Sequence, residues 1–141
     1  MKFLFLSILS ALLLSASSVT HQVKILEKII SEILVKKQIT IWSDDRDILA
    51  QLEDNNRFKT TKHCQNATMI ILRDKKELLP ECSQADIFVL NYELLSEVPQ
   101  SFGALFWKKG RPNIVILEPR IKAQKIKITQ NLKPYLEEKI W

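Results

Sequence analysis

Three side chains in this 141-residue sequence have the donor atoms for metal binding or thiol chemistry. His63 and Cys64 are adjacent, and Cys82 lies eighteen residues beyond Cys64. Imidazole and thiolate groups bind zinc or copper, and a cysteine pair supports redox chemistry. The three donors lack the paired Cys-x-x-Cys spacing that is typical of zinc sites. The spacing therefore predicts no metal site, and a thiol-redox or metal-handling role stays open as an alternative.

The other residue types that build catalytic sites occur without a known motif. The two glycines, Gly103 and Gly110, are too few and too far apart for a phosphate-binding loop or a dinucleotide fingerprint. The sequence contains neither His-Glu-x-x-His nor Gly-x-Ser-x-Gly. An acidic group at Asp44, Asp45 and Asp47 comes at a predicted helix start, where capping and the helix dipole explain it better than a cation site. We therefore predict no catalytic residue, no cofactor and no enzyme activity.

The hydrophobic pattern predicts alternating helices and strands. Apolar residues recur at three- and four-residue spacing over residues 22–37, which predicts a helix. Ser43 and Asp44 are expected to cap a second helix over residues 46–53, and a terminal helix is expected over 131–140. The predicted strands cover residues 39–42, 58–62, 67–72, 86–90, 104–107 and 114–117. Strands separated by helical segments indicate an α/β fold, a single-domain sandwich with a central mixed sheet flanked by helices.

The first eighteen residues have the organisation of a secretory signal peptide. Lys2 gives a positive start, residues 3–14 are almost all apolar, and residues 15–18 have small side chains. The apolar run is shorter than the roughly 20 residues that a membrane span needs. We expect cleavage after Ser18, which releases a soluble domain over residues 19–141 into the periplasm. A short membrane anchor that stays attached is the alternative.

The predicted export affects the expected oxidation state of the two cysteines. An even number of cysteines in an oxidising compartment favours a disulfide, here between Cys64 and Cys82. The alternative is a pair of buried free thiols, because cysteine also packs as a small apolar residue.

Positive charge is concentrated in the last third of the sequence. Residues 108–141 contain nine Lys or Arg and three Glu, whereas residues 19–107 contain eleven Lys or Arg and thirteen Asp or Glu. Such a basic segment can face phosphate, an anionic membrane surface or an acidic partner, and nucleic acid is not expected for an exported protein. Lys108, Lys109 and Arg111 surround the Gly and Pro that favour a hairpin turn over residues 108–112, so they are the predicted partner contacts. An ordinary solvated face is the alternative.

Parts of the sequence resemble the YfiR-like family of small bacterial periplasmic proteins. Residues 101–118 are similar to two strands of that family, which are joined by a short turn with a glycine. Residues 85–90 and 39–45 resemble its central and first strands. The chain departs from the family at Gly103, where a double glycine is usual, and at Cys82, which lies three residues earlier than the family's cysteine.

The resemblance implies an α/β periplasmic domain without enzyme activity. It implies a partner, namely the periplasmic region of an inner-membrane signalling protein such as a diguanylate cyclase or a sensor kinase, which the domain restrains or tunes. A periplasmic sensory domain that binds a small anionic ligand through the basic segment is the other interpretation.

Overall fold

The computed structural model of the protein describes residues 18–34 and 38–141, which form a seven-stranded mixed sheet with helices on both faces. The predicted single-domain α/β fold is confirmed. The predicted signal segment, except Ser18, lies outside the described residues. No helix within the described part of the chain is both long enough and apolar enough to cross a membrane.

The helices and strands are short and follow one another closely along the chain. The helices are α1 (18–31), α2 (Arg46–Asn55), α3 (Leu94–Glu97) and α4 (Glu118–Ala123). The strands are β1 (Ile33–Leu34), β2 (Thr40–Ser43), β3 (Lys59–Thr60), β4 (Met69–Leu72), β5 (Asp86–Val89), β6 (Ser101–Lys108), β7 (Arg111–Leu117), β8 (Lys127–Ile128) and β9 (Leu136–Glu137). Single 3₁₀ turns at Cys64–Asn66, Lys75–Glu77 and Pro80–Cys82, and a longer one at Gln130–Tyr135, connect them.

The main sheet has the strand order β3-β2-β4-β5-β6-β7-β9. Strands β2 to β6 are parallel, β7 is antiparallel to β6, and β9 is parallel to β7. The chain passes from β2 to β3 on one side and then crosses to β4 on the other side. The order therefore reverses between β2 and β4, at the kind of switch point where open α/β sheets commonly bind ligands.

The central strands are buried on both sides, as a parallel sheet requires. In β4, Met69 and Ile71 join one core with α1, α2 and α4, whereas Ile70 and Leu72 face the opposite core with α3 and the two cysteines. All four side chains are buried. This two-sided burial explains why residues 67–72 are a continuous apolar run rather than an alternating pattern.

Two predicted helices are wrong in part. The first ends at residue 31, because the chain then forms β1, in which Ile33 pairs with Ile128 of β8. The predicted terminal helix over 131–140 is instead a 3₁₀ turn that contains Pro134, followed by β9. Proline removes a helical hydrogen-bond donor, and the edge of β7 supplies strand partners at Ile116 and Leu117. Tertiary pairing overrides the local pattern in both places.

Strand β6 contains a bulge that changes which side chains face each core. Ile87 pairs with Ser101 but Phe88 pairs with Gly103, so Phe102 is an additional residue on β6. Phe102 packs beside Phe88, with ring centroids 5.5 Å apart. A Cβ atom on Gly103 would lie 2.7 Å from the carbonyl oxygen of Val115 and 2.9 Å from the Phe88 ring. Only glycine allows this close approach of β5, β6 and β7.

Arg120 joins α4 to the segment between α3 and β6. Its Nη1 atom donates hydrogen bonds to the carbonyl oxygens of Leu95 (2.8 Å) and Ser101 (2.9 Å). It also lies 3.5 Å from the carbonyl oxygen of Val98, next to the end of α3. A cation close to the carbonyl end of a helix is electrostatically favourable. The guanidinium therefore fixes the point at which the chain enters β6.

We expect Arg120→Met to lower the free energy of unfolding by about 1–3 kcal/mol, because it leaves partly buried carbonyl groups without their donor. Urea denaturation measures this change. Lys122→Met on the same helix is the matched control, since Lys122 is exposed and its ion pair is with Glu118 of the same helix. Equal denaturation midpoints for the two variants would contradict the role of Arg120.

Candidate functional site

At the carboxyl edge of β2 and β4, where the strand order reverses, polar side chains bond to one another and to the main chain. Asp44 accepts hydrogen bonds from the main-chain N–H groups of Arg73 and Asp74, each at 2.8 Å. The Nε atom of Arg73 donates to Asp45 at 2.7 Å, and its Nη2 atom donates to the side chain of Gln22 at 3.1 Å. The polar groups that would receive a ligand at this edge therefore have partners within the chain.

The acidic residues at this edge include the helix cap that the sequence predicted, but the capping residue is one position later than expected. Asp45, rather than Ser43 or Asp44, caps α2, and its carboxylate accepts from the N–H groups of Asp47 and Ile48 at 3.1 Å. Asp44 instead joins the ends of β2 and β4. Burial raises the pKa of the Asp44 carboxyl, and the hydrogen bonds from Arg73 and Asp74 oppose that rise.

The predicted hairpin is confirmed and projects beyond the rest of the sheet. Strand β5 pairs with β6 only as far as Ala104, and β9 pairs with β7 only at Ile116 and Leu117. Residues 105–114 therefore pair only with one another within the sheet, and Val115 pairs with Ala104 at the base of the hairpin. We refer to residues 105–115 as the arm.

A tight two-residue turn forms the tip of the arm. Lys108 pairs with Arg111, and the residues between them, Lys109 and Gly110, both have positive φ angles of 53° and 74°. Two successive positive φ angles are typical of a type I′ turn, which matches the twist of the strands that it joins. Pro112 pairs with Trp107, next to the pair that closes the turn. Because hydrogen-bonded and non-bonded pairs alternate, the missing N–H of Pro112 costs no bond to β6.

The three predicted contact residues are brought together at this tip. Lys108, Lys109 and Arg111 are all exposed. None of them forms an ion pair with another described residue. Residues 101–117 contain no Asp or Glu, so nothing within the hairpin neutralises this charge. The tip is a cluster of three cations that is free to meet an acidic group.

Aromatic contacts hold the arm on both of its faces. On one face, the Phe106 ring lies 5.1 Å from the Tyr92 ring between centroids. On the other face, Trp107 makes an edge contact with His21 of α1 at 6.2 Å, yet 41% of its surface remains exposed. A two-stranded hairpin is marginally stable by itself. These contacts give the arm a defined position relative to the sheet.

A groove of about 780 Å³ lies along the arm on the Tyr92 side. Phe106 and Val115 of the arm line it, together with Tyr92, Trp141 and Lys108. Among the residues that the structure describes, Trp141 is the most exposed large apolar side chain, at 79%. Aromatic residues and arginine, here Tyr92 and Trp141 of the groove and Arg111 of the adjacent tip, are enriched in protein–protein contacts. The tip and this groove together form the candidate functional site.

The sequence predicts the tip but not most of the groove. Glu137 falls in the predicted terminal helix and Tyr92 follows the predicted strand over residues 86–90, so neither is associated with the hairpin. Trp107 and Trp141 are both exposed. A two-residue alternation counted outward from the turn would have placed Phe106 and Lys108 on one face, but no local signal brings Tyr92 to that face.

The cysteines lie far from the arm in the sequence, within the core that also contains α3. Cys64 and Cys82 are both buried and are at disulfide distance, with Cα atoms 5.6 Å apart. The structure is therefore compatible with the predicted disulfide. His63 is exposed beside Cys64. No group of three or more His, Cys, Asp or Glu within residues 18–34 and 38–141 is arranged to hold a metal ion.

No protein-family model and no curated protein matches this sequence.

We expect free-thiol titration of the unreduced, denatured protein to find almost no reactive thiol, because Cys64 and Cys82 are at bonding distance. Cys82→Ser should lower the free energy of unfolding by about 2–4 kcal/mol. The double variant Cys64→Ser/Cys82→Ser should cost little more than either single one, since one bond is lost in all three. Two titratable thiols, or single effects that add in the double variant, would contradict the disulfide.

Proposed function

We propose that this protein is a non-enzymatic regulatory binding module of the periplasm. The domain restrains or tunes an inner-membrane signalling protein, such as a cyclase or a sensor kinase, by binding its periplasmic region. The observation that carries the proposal is the exposed cationic tip of the arm beside an aromatic groove. The carboxyl edge between β2 and β4 supports it, because Asp44, Asp45 and Arg73, at the usual ligand position of such a sheet, are already hydrogen-bonded within the chain.

The resemblance to the YfiR-like family supports the same proposal from the sequence. The segment with the greatest similarity, residues 101–118, is the segment that forms β6, the arm and β7. The signal-like first eighteen residues agree with a periplasmic location. A binding role needs a surface of fixed shape and unpaired charge rather than a catalytic group, and the arm has both properties.

We expect the exported form to begin near Val19. The charged start, the short apolar run and the small residues before Val19 are the features that a signal peptidase recognises. Fractionation of expressing cells, followed by intact mass measurement of the periplasmic protein, gives the new terminus. A product that keeps Met1 and remains with the membrane would refute both the cleavage and the proposed location.

We expect the triple variant Lys108→Glu, Lys109→Glu and Arg111→Glu to fold normally but to lose its partner. Exposed charges usually change stability by less than about 0.5 kcal/mol each, so circular dichroism and the melting temperature should change little. Recovery of the inner-membrane partner by the tagged mature domain should fall sharply. The dependence of the remaining binding on salt should also become weaker, because exposed charges act mainly by steering association.

A second triple variant with the same change in charge is the control. Arg46→Glu, Lys59→Glu and Lys62→Glu change exposed cations around α2 and β3, at the opposite edge of the sheet from β9. This variant should recover the partner as well as the unchanged domain does. If both variants bind equally, or if the arm variant keeps the original salt dependence, the tip is an ordinary solvated face and the proposal fails.

A further inference from the structure

Hydrogen bonds to Tyr92 hold the main chain of Trp141, whose ring is the most exposed one in the groove along the arm. The main-chain N–H of Trp141 donates to the hydroxyl oxygen of Tyr92 at 2.7 Å, and that hydroxyl donates to the carbonyl oxygen of Trp141 at 3.2 Å. The Tyr92 ring in turn packs on Phe106 of the arm. The backbone of Trp141 is thus tied to the arm, while its ring remains exposed to a partner.

The two ends of this groove carry opposite charge. Lys108 lies at the tip, where it pairs with Arg111. Glu137 lies at the base, where it pairs with Leu117 of β7. The rise of an extended strand puts Arg111 and Leu117 roughly 20 Å apart. Lys108 and Glu137 thus give the groove a cationic and an anionic end. Glu93 also lines the groove, and the ammonium group of Lys139 lies 4.6 Å from the centroid of the Trp141 ring.

The floor between these two ends is apolar. Phe106 and Val115 of the arm line the groove there, and the rings of Tyr92 and Trp141 stand beside them. The polar side chains of Asn91 and Asn113 also line it. Asn91 Oδ1 accepts from the N–H of Glu93 and Asn113 Nδ2 donates to the carbonyl oxygen of Arg111, which leaves the Nδ2 of Asn91 and the Oδ1 of Asn113 to bond the main chain of an extended peptide. A groove that is apolar in the middle and oppositely charged at its ends is complementary to a segment with the reverse order of charge.

We propose that this groove binds one extended peptide segment of the protein partner. The segment has acidic residues at the end near Lys108, apolar residues over Phe106 and Trp141, and basic residues at the end near Glu137. This inference rests on the proposed function, because it specifies which part of the partner the arm binds. Charge complementarity selects an extended peptide with separated charges over a uniformly anionic surface, since Glu137 and Glu93 would repel the latter.

Synthetic peptides of about eight residues, enough to span the groove at strand rise, test this inference on the mature domain. The probe peptide is Glu-Glu-Thr-Leu-Phe-Thr-Lys-Lys with blocked ends, used together with the same residues in reverse order. One comparison peptide has the same composition with its charges intermixed, and another has Ser in place of Leu and Phe. Fluorescence anisotropy of labelled peptides measures the dissociation constants.

We expect one of the two probe peptides to bind about tenfold or more tightly than either comparison peptide. Trp141→Ser and Lys108→Glu should each weaken the binding of that peptide by a similar factor. Leu79→Ser is the matched control, because Leu79 is also an exposed apolar residue but lies outside the groove. A nitroxide label at the acidic end of the bound peptide should broaden the NMR signals of the backbone amides of Lys109 and Gly110. A label at the basic end of the peptide should instead broaden those of Glu137 and Glu138.

Equal binding of the probe and charge-mixed peptides would overturn the separated-charge order. Equal binding of the Ser-substituted peptide would overturn the apolar contact. Broadening of the same amide signals by both nitroxides would overturn the orientation. None of these results depends on the membrane partner, so they are distinguishable from failure of the proposed function, which recovery of that partner by the arm variants decides.

Discussion

Two-sided burial of the central strands is the constraint on which the rest of the structure depends. Strands β4 and β5 carry apolar side chains on both faces, so both faces must be covered. Helices α1, α2 and α4 cover one face, and α3 with the two cysteine-bearing 3₁₀ turns covers the other. Because the faces are occupied, only the strand ends and the sheet edges remain for contact with other molecules.

These two kinds of surface differ in how their polar groups are used. At the carboxyl edge of β2 and β4, Asp44 and Asp45 are bonded to main-chain N–H groups and to Arg73. A ligand that used these groups would have to break these bonds. At the arm, Lys108 and Lys109 are exposed and form no ion pair with any described residue. Binding at the arm gains charge pairing without breaking an existing contact, which favours it as the functional surface.

The position of the arm depends on features that lie outside it. Gly103 allows β6 to pass close to both Phe88 and Val115, and Arg120 fixes the main chain just before β6. Tyr92 then supports the arm through Phe106. The geometry of the tip is therefore coupled to the packing of both cores, although the tip itself is exposed.

The sequence by itself determined the fold class, the hairpin and the exposed cations at its tip. The apolar run at residues 67–72 reflects burial on both faces of a strand, and the glycine at position 110 reflects a turn residue with a positive φ angle. Both signals can be read locally in the sequence. The end of α1, strand β9 and the groove around Tyr92 and Trp141 were decided only by the tertiary structure. Each depends on pairing or packing between residues that are far apart in the chain, and such contacts compete with local helical preference at little cost in free energy. Local patterns therefore predict elements, whereas the site that they form depends on how the elements meet.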